Sequence, residues 1–294
     1  MSKIFITGSE GFIGKYLTKS LCDKGHSVTT LDLINRESPN HIQADILDFD
    51  FYNVFKKLQI EYVIHLAAQT DVSKSFSDPE FDLLVNGKGC LRIGLAASRA
   101  KCKNFVYAHS GGASYSTPSK YPTDESEPKS PISPYGISKN TGLDYLKYLG
   151  NHEGLAWIAL ALSNCYGSIE INQKGVLYEF WRAGMKQKPA SIYGANVTRD
   201  FIFVDDVVDA FILALEKPLK IEVNVSGGIE VSLSNLHKIL SEEMNSQILP
   251  EIYPARTGDV ERSVLENNLA NRLLGWRPAT ELREGIKLSI GVKH

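Results

Sequence analysis

Two residues at the start of a helical segment have the types and spacing of a base and its activating cation. Tyr135 and Lys139 stand four positions apart in YGISKNTGLDYLKYL, so a helix places both side chains on one face. The positive charge of the lysine lowers the pKa of a neighbouring phenol from its usual value of ~10. The pair would then act as a base near neutral pH.

The spacing is weak evidence by itself, because Tyr52 and Lys56 repeat it in YNVFK. That second pair precedes the fourth predicted strand, and no strand that ends in a hydroxyl-bearing residue lies upstream of it. Tyr135 has such a strand upstream, since Ser110 ends the apolar run NFVYAHS 25 residues earlier. We therefore take Ser110, Tyr135 and Lys139 as the candidate catalytic residues.

A glycine-rich segment, TGSEGFIG, joins the first predicted strand to the first predicted helix. In such a segment Gly8 permits a tight turn, Gly11 lets the backbone approach a pyrophosphate, and Gly14 lets the helix pack on the strand. The helix N terminus then offers N–H groups and a positive dipole to the phosphates. Three glycines also fit an ordinary turn. The candidate cofactor contacts in this segment are Gly8, Gly11, Phe12, Ile13 and Gly14.

Asp32 strengthens the prediction of a dinucleotide site. It closes the second predicted strand 18 residues after Gly14, where a carboxylate accepts both hydroxyls of the adenosine ribose. The same charge repels a 2′-phosphate, which favours NAD over NADP. Further candidate contacts with the adenine, ribose and phosphate are Asp45, Ile46, Leu66, Ala67 and Ala68.

The order of the elements that must position these residues indicates an α/β protein. Apolar runs alternate with helix-length amphipathic segments, and the runs are KIFIT, SVTTLD, EYVIHLA, NFVYAHS and AWIALAL. This alternation predicts a Rossmann-type doubly wound parallel sheet with helices on both faces. The proline-rich segment 116–134 is predicted to be a surface loop.

After residue 168 the alternation loosens, which predicts a smaller, mostly helical C-terminal substrate-binding cap. We expect strands at SIY, DFIFV and EVNVS, and helices near 174–187, from 205, in LHKILSEEM and in LANRLLG. We assign residues 1–168 and about 197–226 to the NAD-binding domain. Residues about 169–196 and 227–294 then form the cap.

Composition excludes several classes of partner. The 294 residues carry a net charge of −2, spread along the chain, which gives no electrostatic footprint for nucleic acid or a membrane surface. No apolar run approaches the ~20 residues of a membrane span, and the apolar part of MSKIFITGSEGFIG is too short for a signal peptide. The four cysteines lack the spacing of metal ligands and are expected to be reduced, buried thiols. We expect a soluble cytoplasmic protein with no bound metal.

Several motifs in register resemble the extended short-chain dehydrogenase/reductases, in particular the nucleotide-sugar epimerase/dehydratase family. They are TGSEGFIG, Asp32, HLAA, Ser110, YGISK, SNCYG, TRDFIFVDDVVDA and RTGDVERS with LANRLLGW. The resemblance spans nearly the whole chain and is closest to the UDP-sugar 4-epimerases. It implies NAD-dependent inversion of a nucleotide sugar at C4 through a transient 4-keto intermediate. Synthesis of polysaccharide precursors is the implied setting.

The resemblance also implies a role for each matching residue. Tyr135 would be the base, Lys139 would bind the nicotinamide ribose and tune the tyrosine, and Ser110 would bind the hydroxyl that is oxidised. Asn86 would support the cofactor. The nucleotide diphosphate and uridine would be bound by Asn164, Arg199, Arg256 and Asp259.

Simpler interpretations remain open for the residues on the substrate side. Asn164 could cap a turn, Arg199 could form a surface ion pair with a neighbouring aspartate, and Arg256 could form one across the RTGD turn. A guanidinium suits a diphosphate better than an ammonium does, which favours the binding role of both arginines. His65 and His109 border strand ends, and we interpret both as packed residues.

The residues after Ser110 bear on the type of reaction. Similar 4,6-dehydratases and glucuronate decarboxylases place Asp or Glu there, and dehydration needs an acid to protonate the leaving hydroxyl. This chain has Gly111 and Gly112, so we expect oxidation and re-reduction only. Ser263 stands four residues after Asp259, where 4-epimerases carry a size gate for the C2 substituent. Its small side chain predicts that UDP-GlcNAc/GalNAc is accepted alongside UDP-Glc/Gal.

Other functions stay open at this level. One is another enzyme of the same superfamily, such as a net reductase or an epimerase acting at a different carbon. Another is a non-catalytic NAD-binding protein, against which the complete serine, tyrosine and lysine set argues. The resemblance further implies a homodimer, formed by the helix near Pro79 and the helix that carries Tyr135.

Overall fold

The computed structural model describes residues 1–115, 118–169, 174–194, 196–256 and 260–291. Its strands in chain order are β1 (Lys3–Thr7), β2 (Ser27–Asp32), β3 (His41–Gln43), β4 (Tyr62–His65), β5 (Asn104–Ser110), β6 (Trp157–Leu162), β7 (Asn164–Tyr166), β8 (Ser191–Tyr193), β9 (Thr198–Phe203), β10 (Ile221–Val225), β11 (Glu230–Ser232) and β12 (Glu251–Tyr253). The helices are α1 (Phe12–Asp23), α2 (Phe51–Leu58), α3 (Val72–Ser77), α4 (Pro79–Leu83), α5 (Gly89–Ala100), α6 (Gly111–Ser114), α7 (Pro134–His152), α8 (Gly175–Met185), α9 (Val204–Leu215), α10 (Leu233–Glu243), α11 (Asn268–Leu274) and α12 (Leu282–Ile290). A π-helical segment, Leu84–Lys88, joins α4 to α5.

Seven strands form a parallel central sheet in the order β3-β2-β1-β4-β5-β6-β10. The order reverses between β1 and β4, which is the point where open α/β sheets bind ligands beyond the carboxyl ends of their strands. The register aligns Thr7 of β1 with His65 of β4 at this point. The predicted Rossmann-type doubly wound fold is therefore confirmed.

Helices cover both faces of the central sheet, because each turns one apolar stripe toward the strands. On one face, α1 and α9 bury Leu17, Leu21 and Phe211. On the other face, α5 and α7 bury Ile93 and Leu146. Each such side chain contributes about 1.5–3 kcal/mol when it leaves water. The two cores hold the strand ends that border the site.

Helix α7 begins where the sequence provides a cap. The hydroxyl of Ser133 accepts a hydrogen bond from the backbone N–H of Gly136 at 3.1 Å, and Pro134 occupies the first helical position. Tyr135 therefore lies in the first turn of α7. The later turns of the helix pack into the sheet through leucines such as Leu146, which orients the first turn toward the end of β5.

The other strands form two smaller sheets, in the orders β11-β9-β7 and β12-β8. A third hydrophobic core joins them to α8, α10 and α12 through residues such as Phe180, Leu236 and Ile286. Strand β9 contains the first four residues of DFIFV, which we grouped with the NAD-binding domain, and it pairs with β7 and β11 outside the central sheet. Helix α9 and strand β10 return to the central sheet. The domain division itself stays a prediction.

The proline-rich loop is only partly at the surface. Residues 118–133 form no helix and no strand longer than a single bridge, as predicted. However, Thr123 is buried, and its N–H donates to the carbonyl of Val264 at 2.9 Å. Lys129 donates from Nζ to the Glu222 carboxylate at 2.8 Å. The prediction of a surface loop is therefore wrong for this part, because the loop packs against β10 and the segment around Val264.

The four cysteines are free thiols. Cys90 and Cys102 are buried, as expected. Cys165 is half-buried and Cys22 is exposed on α1, so the expectation of burial is wrong for these two. No helix in the described ranges combines the length and the apolar composition needed to cross a bilayer.

Candidate active site

The glycine-rich loop between β1 and α1 is packed too closely for side chains at two of its glycines. Gly8 has a φ of +76°, and a Cβ on it would lie 2.6 Å from the backbone nitrogen of Ala67. A Cβ on Gly14 would lie 2.2 Å from the carbonyl oxygen of Gly8. At Gly11, which precedes α1, the corresponding distance is 3.2 Å. The loop thus exposes backbone at the N terminus of α1, where phosphates bind.

The carboxylate of Asp32 lies directly beside this loop. One of its oxygens accepts from the backbone N–H of Glu10 at 2.9 Å, and the other accepts from Ile34 at 3.0 Å. The Glu10 carboxylate in turn lies 3.5 Å from Arg36, a contact between segments that no local sequence pattern predicts. The glycine-rich loop and the N terminus of α1 fit the pyrophosphate of a dinucleotide, and the carboxylate of Asp32 fits its adenosine ribose.

The other predicted cofactor contacts lie along the same edge of the sheet. Asp45 is exposed and accepts from the N–H of Leu47 at 2.9 Å, whereas Ile46 is buried against Gly89. The segment Leu66–Ala68 follows β4 and borders the glycine-rich loop.

Asn86 lies in the π-helical segment, and its side chain is saturated by protein groups. Its Oδ1 accepts from the N–H of Gln69 at 3.0 Å, and its Nδ2 donates to the carbonyl of Gln69 at 3.0 Å. The residue is 1% exposed. It therefore shapes the segment after β4 through direct hydrogen bonds to Gln69.

The candidate catalytic residues meet where β5 ends and α7 begins. The hydroxyl of Ser110 lies close enough to the phenol of Tyr135 to lower the pKa of that phenol. Lys139 is 3% exposed, and its Nζ donates to the carbonyl of Ala108 at 2.7 Å and lies 4.3 Å from the ring centroid of Tyr107. Both side chains thus face the end of β5 from one side of α7.

Burial shifts the pKa of both groups away from water-like values. It raises the pKa of Tyr135 to about 12, an effect that the hydroxyl of Ser110 opposes. It lowers the pKa of Lys139 to about 8. The pKa of Tyr135 therefore lies above ~10 in this geometry, because the loss of hydration is the largest influence on it. That Lys139 lowers this pKa stays a prediction.

The two glycines after Ser110 differ in the space around them. A Cβ on Gly111 would lie 2.4 Å from Cδ1 of Leu265, so a carboxylate side chain cannot fit there without repacking. A Cβ on Gly112 would lie at ordinary contact distances, 3.5 Å from Oγ of Ser263 and 4.0 Å from Oδ1 of Asn164. The fold therefore brings Ser263 and Asn164 together beside Ser110.

The predicted arginines lie on β9 and shortly after β12. Arg199 on β9 donates from Nη1 to the carbonyl of Val260 at 2.6 Å and to that of Thr198 at 2.8 Å. Arg256 is exposed and stacks over Tyr193 with its guanidinium carbon 3.9 Å from the ring centroid. Asp259 lies outside the described residues.

An aromatic pair in the cap was missed at the sequence level. The rings of Tyr193 and Tyr253 stack with centroids 5.4 Å apart, across the pairing of β8 with β12. The only sequence signal was the short strand SIY, which does not identify the second ring. Stacked tyrosines beside a guanidinium form a surface suited to a planar base.

The two histidines at strand ends are packed residues, as expected. Nδ1 of His65 lies 2.8 Å from the hydroxyl of Thr7, and burial lowers the pKa of His65 to about 3. Burial also lowers the pKa of His109 well below its usual value. Both rings are neutral at physiological pH.

Comparison with known proteins identifies similar chains over nearly the full length. Residues 4–226 match the model of the NAD dependent epimerase/dehydratase family. The UDP-glucose 4-epimerase of Mycolicibacterium smegmatis is 36% identical, over 98% of this chain and 97% of that protein. The solved structure of a UDP-glucose 4-epimerase from Thermotoga maritima with UDP-glucose superposes with a TM-score of 0.93 at 32% identity, covering 98% of this chain and 97% of that one. The solved structure of the UDP-glucose 4-epimerase of Thermus thermophilus, in complex with NAD, superposes with a TM-score of 0.91 at 30% identity. The match covers 98% of each chain.

Proposed function

This chain belongs to the NAD-dependent epimerase/dehydratase family, and we propose that it interconverts UDP-sugars that differ in configuration at C4. The observation that carries the proposal is the pairing of Ser110 with Tyr135 at a strand end followed by two glycines. This site holds a base and lacks a carboxylate beside Ser110, so it suits reversible oxidation without dehydration. The packing of Leu265 against Gly111 keeps such a carboxylate out.

The residues of the chain divide the reaction between them. NAD⁺, when bound, would supply the acceptor and the donor of the hydride at C4 of the sugar. Tyr135 takes the proton of the C4 hydroxyl at its phenol oxygen and later gives it back. Ser110 holds that hydroxyl by a hydrogen bond. Because burial keeps the pKa of Tyr135 at about 12, the phenol ionises only beside positive charge, which Lys139 supplies from the next turn of α7.

Other residues bind the cofactor and the nucleotide of the substrate. Backbone around the glycine-rich loop binds the pyrophosphate, Asp32 binds the adenosine ribose, and Lys139 holds the nicotinamide ribose. We assign the cap, about 169–196 and 227–294, to the nucleotide of the substrate. There Arg256 faces the diphosphate and Tyr193 takes the base, which the 3.9 Å stacking of Arg256 on Tyr193 supports. Arg199 faces the diphosphate from β9.

The space beside Gly112 supports a broad choice of sugar. Ser263 is 7% exposed and ends in a single hydroxyl, 3.5 Å from the position of a Cβ on Gly112. A side chain of this size leaves room for an N-acetyl group at C2. We therefore include UDP-GlcNAc/GalNAc among the substrates, beside UDP-Glc/Gal.

The test is incubation of the purified protein with UDP-Glc, and separately with UDP-GlcNAc, without added reductant. Proton NMR of the sugar then measures the configuration at C4. C4-inverted product at constant total sugar supports the epimerase. Product that forms only with stoichiometric NADH indicates a net reductase, and bound NAD without turnover of any nucleotide sugar contradicts the catalytic proposal.

The proposal also covers the oligomeric state of the protein and its location in the cell. Exposed apolar side chains lie on α4 and α7, and they are Phe81, Leu83, Ile137, Tyr145 and Tyr148. They support a homodimer through these helices, which light scattering in solution tests. Four free thiols suit a reducing compartment, so we place the enzyme in the cytoplasm, where polysaccharide precursors are made.

A further inference from the structure

A buried carboxylate that no part of the reaction uses lies beneath the catalytic helix. Asp82 on α4 is 0% exposed. Its Oδ1 accepts from Nε2 of Gln69 at 2.7 Å and from Nδ2 of Asn86 at 3.2 Å, and its Oδ2 accepts from the hydroxyl of Ser138. Among the described residues no lysine or arginine forms a salt bridge with it. A buried charge of this kind is costly unless hydrogen bonds and nearby charges stabilise it.

The three donors come from three elements that border the site. Gln69 ends the segment after β4 that lies against the glycine-rich loop, and Asn86 holds the same segment through both of its amide atoms. Ser138 precedes Lys139 on α7, and its hydroxyl also lies 3.0 Å from the carbonyl of Tyr135. Asp82 thus links the cofactor side to the catalytic helix, together with Asn86, whose Nδ2 donates to the hydroxyl of Ser138 at 3.1 Å.

We propose that Asp82 is a positioning residue of the catalytic centre, which ties the segment after β4 to α7 and places one buried negative charge beside Tyr135 and Lys139. The inference rests on the proposed function, since it assigns the charge a part in the ionisation of these two groups. The hydrogen bonds of Asp82 and its negative charge can be tested separately. A neutral side chain of the same shape keeps the hydrogen bonds and lacks the charge.

The charge acts on both groups in the same direction. It raises the pKa of Lys139, against the burial that lowers it to about 8, and it adds to the raised pKa of Tyr135. The groups that face Lys139 from the other packed elements are Cys90 on α5, His65 on β4, and Tyr107 and His109 on β5. Burial raises the pKa of the thiol to about 12 and that of the phenol well above its usual value, and it lowers the pKa of both imidazoles. All four groups are therefore neutral at physiological pH.

Two other charged groups that lie near β5 form a pair. Lys129 and Glu222, beyond His109, lie 2.8 Å from each other and largely cancel. Since the Cys90 thiol is neutral, Asp82 is the carboxylate that raises the pKa of Lys139 against the effect of burial. Activity requires Lys139 with its proton and Tyr135 without it, so one proton is shared by two interacting groups. The lower of their coupled pKa values sets the acidic limb of the pH–rate profile, and the higher one sets the alkaline limb. Removal of the charge lowers both pKa values, which moves both limbs toward acid.

The test is the isosteric variant Asp82→Asn. Its amide oxygen accepts from Gln69 and Asn86, and its amide nitrogen donates to Ser138, whose own hydroxyl turns to the carbonyl of Tyr135. We expect both limbs of kcat against pH to move by about 1 pH unit toward acid, with bound NAD retained. In protein labelled with ¹³C at lysine Cε, the NMR titration of Lys139, assigned by its loss in Lys139→Met, moves in the same direction without any substrate.

A second variant separates the effect of the hydrogen bond to Ser138 from the effect of the negative charge of Asp82. Ser138→Ala removes one hydrogen bond and keeps the carboxylate, so we expect a lower kcat with both limbs unmoved. Asp206→Asn is the matched control, since Asp206 is a buried carboxylate that accepts from the N–H groups of Ala279 and Thr280 at 2.8 and 3.1 Å, away from α7. It is expected to lower thermal stability and leave the pH profile unchanged.

The outcomes distinguish this inference from the proposed function. Unmoved limbs together with an unmoved Lys139 titration in Asp82→Asn overturn it and leave Asp82 a purely structural residue. Limbs that move in Ser138→Ala overturn the assignment of the shift to the charge. If the wild type inverts no nucleotide sugar, the proposed function fails, but the titration of Lys139 still decides whether Asp82 acts on it.

Discussion

The cofactor side and the cap side of the site are built in different ways. On the cofactor side, the glycine-rich loop packs through backbone atoms. For example, the backbone of Ala67 leaves no space for a side chain at Gly8. On the cap side the contacts are between side chains on short strands, as where the exposed Arg256 stacks on Tyr193. Backbone packing permits few substitutions, whereas a side chain can be exchanged alone. The comparison implies that cofactor binding is constrained by the fold and that substrate choice depends on a few replaceable residues.

The largest effect is expected for Tyr135, the proposed base, which lies between the cofactor side and the cap side. Tyr135→Phe removes the proton acceptor and is expected to lower kcat by about 10³-fold, while bound NAD is retained. Tyr52→Phe is the matched control, because Tyr52 and Lys56 have the same spacing on α2 and Tyr52 is 41% exposed. Turnover is measured by NMR of the sugar. Near-normal turnover of a folded Tyr135→Phe would rule out this base.

A pair of alanine substitutions tests the difference in packing directly. In Gly14→Ala the new Cβ would lie 2.2 Å from the carbonyl of Gly8, so we expect loss of bound NAD and of about 1–3 kcal/mol in the free energy of unfolding. In Gly112→Ala the nearest atom is 3.5 Å away, and both quantities should stay near wild type. The bound cofactor is measured by its absorbance after denaturation. Equal losses in the two variants would contradict the comparison.

On the cap side, Ser263→Tyr fills the space beside Gly112. We expect the ratio of kcat/KM for UDP-GlcNAc to that for UDP-Glc to fall by about 10–100-fold, because the N-acetyl group needs that space. Ser263→Thr is the control, since it adds one methyl group. If the ratio does not change in the tyrosine variant, Ser263 is not a size gate.

The smallest effect is expected at the outer edge of the cap. Arg256→Ala removes a guanidinium that is exposed, so KM should rise by about 5–10-fold with kcat unchanged. Arg256→Lys should recover only part of this affinity, because an ammonium lacks the fork that binds two phosphate oxygens. Steady-state kinetics over a range of substrate concentrations gives both constants. A fall in kcat would place Arg256 nearer the reacting carbon than we propose.

The sequence by itself determined the parts that depend on local spacing. The central strands, the glycine-rich turn before α1 and the four-residue spacing of Tyr135 and Lys139 all arise within short segments, where period and turn chemistry are legible. The proximity of Ser110 to Tyr135 could also be anticipated, because a helix that follows a parallel strand begins at the carboxyl edge of the sheet, where that strand ends.

Only the tertiary structure decided what depends on contacts between distant segments. The raised pKa of Tyr135, the packing of Leu265 against Gly111 and the stacking of Tyr193 on Tyr253 depend on which side chains exclude water from one another. The contact of Asp82 with Ser138 joins residues 56 positions apart. No local pattern encodes such pairs, because burial and charge act through space after the chain has folded.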